Sequence, residues 1–116
     1  MPERELPPAV SGVPPAANLA PAEVDRVVHE PARLMILAHL YVVEAADFTF
    51  LLRQTGLTWG NLSAHIVKLE QAGYVTVQKQ FVGKKPNSML HLTDRGRAAF
   101  RSYRQNMRQL MSDLPD

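Results

Sequence analysis

Cysteine is absent from this chain of 116 residues, which excludes disulfides, thiolate nucleophiles and cysteine-built zinc sites together. Long apolar runs are missing too: none approaches the roughly 20 residues that a membrane-spanning helix needs. The first residues lack the basic-then-apolar order of a secretory signal, since Glu3 and Glu5 flank Arg4 and no apolar segment follows. A cytoplasmic protein without membrane association is the expectation. There is no glycine-rich phosphate loop, serine elbow or pair of carboxylates in a catalytic context. His29, His39, His65 and His91 fall on different segments, with no HxxxH or HExxH spacing. Enzymatic activity, a bound metal and a cofactor are therefore not expected.

What is present suits one small domain. Apolar residues make up 46% of the chain, enough for a single modest core at this length but not for two. Residues 1–18 stand apart, with five prolines and one glycine and no helical or alternating period. Proline removes backbone donors and fixes φ, so this stretch reads as a flexible arm. The domain proper is expected over residues 19–92, followed by a C-terminal helix over 93–114. The net charge of +2 is unevenly spread: residues 1–50 carry three basic and seven acidic side chains, residues 51–116 ten basic and four acidic. A polyanionic partner would meet the second half.

The hydrophobic periods give the order of elements. Residues 20–29 read as a short helix with Val24, Val27 and Val28 on its apolar face. Pro31 suits the first position of a second helix, which places Leu34, Leu37, Ala38 and Tyr41 on one side, with Met35, Ile36, Leu40 and Val42 adding apolar surface, so that it is expected to be mostly buried. A third helix follows in TFLLRQT, with Thr49 as N-cap and Gly56 as the residue that accepts positive φ. Thr58 caps a fourth helix, whose Leu62, Ile66 and Leu69 form an apolar stripe closed by Gly73. Two short helices joined by Gly56-Leu57-Thr58 have the spacing of a helix-turn-helix. After Gly73 the period becomes alternating: Val75 and Val77, a turn over 82–86, then Leu90 and Leu92 predict a hairpin. Thr93 caps a final helix in which Phe100, Tyr103, Met107, Leu110 and Leu114 recur at spacings of 3, 4, 3 and 4. Such a stripe fits a helix lying lengthwise on another, in a dimer or on its own domain.

The segment from Gly56 to Phe100 resembles the winged helix-turn-helix domains of small bacterial and archaeal regulators, closest to the MarR-like and ArsR-like group. Three signatures carry the resemblance: Leu57-Thr58-x-Gly60-Asn61-Leu62-Ser63-x-His65, Lys68-Leu69-Glu70-x-Ala72-Gly73-Tyr74-Val75, and Leu92-Thr93-x-x-Gly96. The implied fold is mainly α with a small β-hairpin wing. The implied function is binding of double-stranded DNA by a homodimeric transcriptional regulator, most simply a repressor. Trp59 through Lys68 would enter the major groove, and Gly83, Lys84 and Lys85 would form the wing tip. Trp59 departs from the family, where a small or polar residue is common; it either touches DNA or shields the turn.

Side chains opposite the Leu62 stripe are the candidates for base contact: Asn61, Ser63, Ala64 and His65, with Trp59 beside them. His65 has a second reading, as a structural polar residue beside the turn. Thr49, Arg53, Gln54, Thr58, Lys68, Lys79, Lys84 and Lys85 are the candidates for the DNA backbone, where charge gives affinity and salt dependence but no sequence preference. Val24, Val27, Phe100, Tyr103, Met107, Leu110 and Leu114 are the candidates for the dimer interface. Arg97, Arg101, Arg104 and Arg108 flank that stripe and suit an acidic surface such as Glu23, Asp25 and Glu30, of either subunit. A dimer crevice lined by Tyr41, Phe100, Tyr103 and Met107 would admit a small-molecule effector. The alternative reading keeps the fold and makes it a protein-binding module.

Overall fold

A computed structural model of the chain describes residues 24–116; residues 1–23, with the proline-rich arm and Glu23, lie outside this range. The elements are α1 (Pro31–Val43), β1 (Ala45–Asp47), α2 (Phe48–Thr55), α3 (Trp59–Gln71), β2 (Val75–Val82), β3 (Lys85–Leu92) and α4 (Asp94–Asp113). The fold is mainly α, with a β-hairpin wing as expected. The short helix expected over 20–29 is not seen in its described part, which forms a single turn. There the Asp25 carboxylate accepts from Val27 N–H at 3.0 Å and Val28 N–H at 3.1 Å, a local alternative to helix that aspartate favours.

Each helix begins where a side chain satisfies its free N–H groups. Glu30 caps α1 by accepting from Arg33 N–H, with Pro31 in the first turn. Asp47, not Thr49, caps α2, accepting from Phe50 N–H at 2.7 Å. The difference arises because β1 occupies residues 45–47 and delivers Asp47 to the helix start. Thr58 caps α3 and Thr93 caps α4, as expected.

Three strands make one antiparallel sheet in the order β1-β3-β2. The hairpin pairs Val75 with Leu92, Val77 with Leu90 and onward to Val82 with Lys85, so the turn is only Gly83-Lys84, with Gly83 at φ +66°. The strands are longer than the alternation suggests. Pro86 is tolerated inside β3 because β1 covers only Met89 to His91, leaving no third strand beside it to require an N–H.

Val28, Ile36, Leu37, Leu40, Ala46, Leu51, Leu62, Ile66, Leu69, Val75 and Leu90 form one core under α1, α2, α3 and the sheet base. α1 is less buried than expected: Ala38 is exposed and Val42 is 80% exposed, because only the Ile36–Leu37–Leu40 side meets the core. At the opposite end, Gly73 at φ +80° lets Tyr74 N–H reach back to the Leu69 carbonyl. The Tyr74 hydroxyl donates to Asp25 at 2.5 Å. Burial, then the neighbouring Asp25, pushes its pKa up to about 12, so it remains a neutral donor there. Thr93 completes the junction: its hydroxyl donates to the Gly73 carbonyl and accepts from Gly96 N–H.

Candidate nucleic-acid interface

α3 has two unlike faces. Leu62, Ile66 and Leu69 are buried, and the 3.6-residue period then turns Gly60, Asn61, Ala64 and Lys68 to solvent. Asn61 donates its backbone N–H to Thr58 at 3.2 Å; its side-chain amide forms no hydrogen bond among the described residues. Ser63 is half-buried on the side toward the wing. Thr49, Arg53 and Gln54 are exposed on α2, and Thr58 stands exposed at the start of α3.

Trp59 is 65% exposed yet anchored: its ring lies against Phe48, with centroids 4.2 Å apart and planes tilted by 46°. The contact joins the beginnings of α2 and α3 and fixes the turn between them. His65 is drawn to the other side. Its Nδ1 lies 3.1 Å from Arg33 Nη1 and 3.8 Å from Glu30. Arginine can only donate, so Nδ1 accepts and the ring proton sits on Nε2. Arg33 also donates to the Val27 and Arg26 carbonyls, and thus ties α3, α1 and the N-terminal turn together. Arg33 and Phe48 were not singled out from sequence, since nothing local marks a residue whose partner lies on another element.

Between the start of α3 and the wing runs a groove of about 580 Å³, lined by Phe48, Trp59, Ser63, Lys79, Phe81 and Ser88 among others. Lys79, Lys84 and Lys85 are all exposed on the hairpin, and residues 75–92 contain no carboxylate. The polar face of α3 and a purely cationic wing therefore stand side by side. The two wing residues Phe81 and Val82, 72% and 62% exposed, were missed. Their signal was two consecutive apolar residues where strict alternation asks for one.

The remaining candidates divide between separate places. Val27, Phe100 and Tyr103 pack on the core of their own chain. Val24, Tyr103 and Met107 line a cavity of about 260 Å³ beside α4. Met107 and Leu110 are half-buried, whereas Met111 and Leu114 are exposed. Tyr41 packs at 5.3 Å on Phe100 and lines a different pocket of the single chain from Tyr103 and Met107. Within the one chain Asp25 is engaged by Tyr74 and Glu30 caps α1, while Glu23 lies outside the described residues. Arg97 lies 3.7 Å from Glu44 and 4.6 Å above the Tyr41 ring. The Arg101 hydrogen bond, reinforced by the nearby charges of Arg101 and Arg97, draws the Tyr41 phenol below its ordinary pKa. Among the described residues no group of three or more histidines and carboxylates is arranged to hold a metal, and no helix is long and apolar enough to cross a membrane.

Comparison with known proteins agrees with this geometry. The family model described as a winged helix DNA-binding domain matches residues 32–111. An uncharacterized protein of Methanocaldococcus jannaschii is 33% identical over 89 residues, covering 77% of this chain and 97% of that protein. Among solved structures, a transcriptional regulator homologue from Pyrococcus horikoshii OT3 superposes with a TM-score of 0.71 at 26% identity, over 76% of this chain and 87% of that one. NadR, solved with 4-hydroxyphenylacetate, shares the fold at a TM-score of 0.63 and 20% identity, over 75% of this chain and 61% of its own.

Proposed function

The chain belongs to the winged helix DNA-binding domain family, and from that premise we propose that it is a sequence-specific regulator of transcription, working in the cytoplasm as a homodimeric repressor. The observation that carries this reading is the pairing of α3's polar face with a lysine-bearing wing free of carboxylates across one groove. α3 enters the major groove. Asn61 reads a base there, its amide being able to pair with both edge groups of adenine; Ala64 lies against a neighbouring base, and Ser63 donates to a base or phosphate. Lys68, Lys79, Lys84 and Lys85 hold the backbone, with Thr49, Arg53, Gln54 and Thr58 bordering the same path. Trp59 and His65 act chiefly by positioning, one through Phe48 and the other through Arg33. Two copies paired through α4 set two such helices about one helical turn of DNA apart. The place for a small-molecule effector is the cavity of about 260 Å³ beside α4.

Selection of bound fragments from genomic DNA at near-physiological salt tests the whole reading. Recovery of a shared inverted repeat supports it, and recovery of nothing above background overturns it in favour of a protein-binding role. Two variants then divide the labour. On the recovered repeat, N61A should lose about 1–3 kcal/mol of discrimination at one base pair of each half-site while binding mixed-sequence DNA as before. K84A/K85A should weaken every duplex alike and flatten the dependence of log K on log salt by about 0.9 per lost phosphate contact, hence about 3.6 for a dimer. An unchanged slope would remove the wing from the interface.

A further inference from the structure

The wing tip carries apolar surface that folding does not use. Phe81 and Val82 are 72% and 62% exposed at the end of β2, next to the Gly83-Lys84 turn. Cross-strand pairing sets Phe81 opposite Pro86 and Val82 opposite Lys85. Phe81 and Pro86 therefore form a blunt apolar ridge on one face of the ribbon, the face that also carries Lys79 and looks across the groove toward Trp59. Lys84 lies in the turn and Lys85 directly after it. A second copy of the wing is a poor cover for this ridge, since it brings the same three lysines and no carboxylate to offset them. Duplex DNA supplies both complements at once: phosphates for the lysines and base faces for the apolar ridge.

We propose that the wing bends the DNA it binds, with Phe81, backed by Pro86, wedged into the minor groove beside the recognition helix. With α3 in the major groove, one sugar–phosphate strand passes along the Lys79–Ser63 groove and the tip arrives at the adjoining minor groove. An apolar wedge there unstacks a base step and kinks the duplex away from the protein, and flexible pyrimidine–purine steps yield most readily. The wing then contributes sequence preference through deformability, at positions where no base edge is read. This rests on the DNA-binding reading above, but it asks more than occupancy.

The test uses the full chain and a duplex of roughly 30 base pairs with TA steps placed where the wings fall, labelled at both ends for energy transfer. Wild-type protein should shorten the end-to-end distance, and 2-aminopurine at the TA step should brighten as it unstacks. F81A should bind about tenfold more weakly, with its salt slope unchanged because no charge is removed, and should leave the duplex straight. F81W should restore the bend. Binding by wild type without bending, or bending retained by F81A, overturns the wedge alone. Failure of wild type to bind any duplex overturns the DNA-binding reading and the wedge with it. A change in the subunit number of F81A would make the ridge a contact between copies and overturn the proposal.

Discussion

Replacing Gly96 with alanine should destabilise the domain by roughly 3 kcal/mol, lowering its melting temperature by about 10–25 °C. Gly96 is buried in the first turn of α4, where a Cβ would fall well inside contact distance of the Tyr74 carbonyl oxygen and 2.9 Å from Leu92 Cδ1. The leucine can rotate away, but the carbonyl cannot. It already accepts from Thr93 N–H at 3.0 Å, and Thr93 in turn holds the Gly73 carbonyl and the Gly96 N–H. The methyl group can be fitted only by lifting α4 off the exit of α3, which breaks this junction at several points. Gly60 provides the control, since a Cβ there meets nothing within 4 Å; G60A should be stable or gain a few tenths of a kcal/mol from helix propensity. Melting of G96A at the wild-type temperature would mean that the two segments do not approach so closely in solution.

The Gly96 contact also shows which parts of the fold were legible in the sequence. Gly96 stood in a recognisable signature, but only the fold reveals that the carbonyl two elements earlier is what demands glycine. The caps at Thr58 and Thr93, the left-handed glycines 56 and 73, and the alternation through Val75, Val77, Leu90 and Leu92 are local features, and each fell where its chemistry placed it. β1 was invisible because three residues cannot show a period; with it went the Asp47 cap and Glu44, which holds φ +69° at the end of α1 while its carbonyl receives Leu92 N–H. Partnerships across elements were equally hidden. The contacts of His65 with Arg33 and of Trp59 with Phe48 are visible only in the fold. The lysines of the wing were readable because charge on a turn needs no partner in the fold, whereas the exposure of Phe81 depends on where the hairpin leaves the core.

Breaking the C-terminal part of α4 with M107D/L110D should yield a folded monomer and weaken binding to a two-half-site duplex by about 10²–10⁴-fold, the loss of an effective-concentration advantage. Only the first part of the α4 stripe is used by its own domain. Phe100 and Tyr103 cover the core of their own chain, and Tyr103 also meets His29 at 2.6 Å; Met107, Leu110 and Leu114 continue the same spacing past the core, with Met111 beside them. A helix of 20 residues is about 30 Å long, more than the small domain beneath it needs. In the proposed dimer its remaining turns would pair with the same turns of a second copy, where a spacing averaging 3.5 residues keeps the contact in register. Two carboxylates placed in that seam leave the monomer core untouched but cannot be buried without a partner charge. Light scattering should therefore report half the native mass, with an unfolding transition that no longer depends on protein concentration. Binding to a single half-site should be unchanged, since α3 and the wing are intact. A variant that stays dimeric would move the subunit contact elsewhere, to the exposed Val42 and Val43 side of α1 first of all. A monomer that held the full repeat as tightly as wild type would show instead that each domain finds its site alone, and that the inverted repeat records two independent binding events.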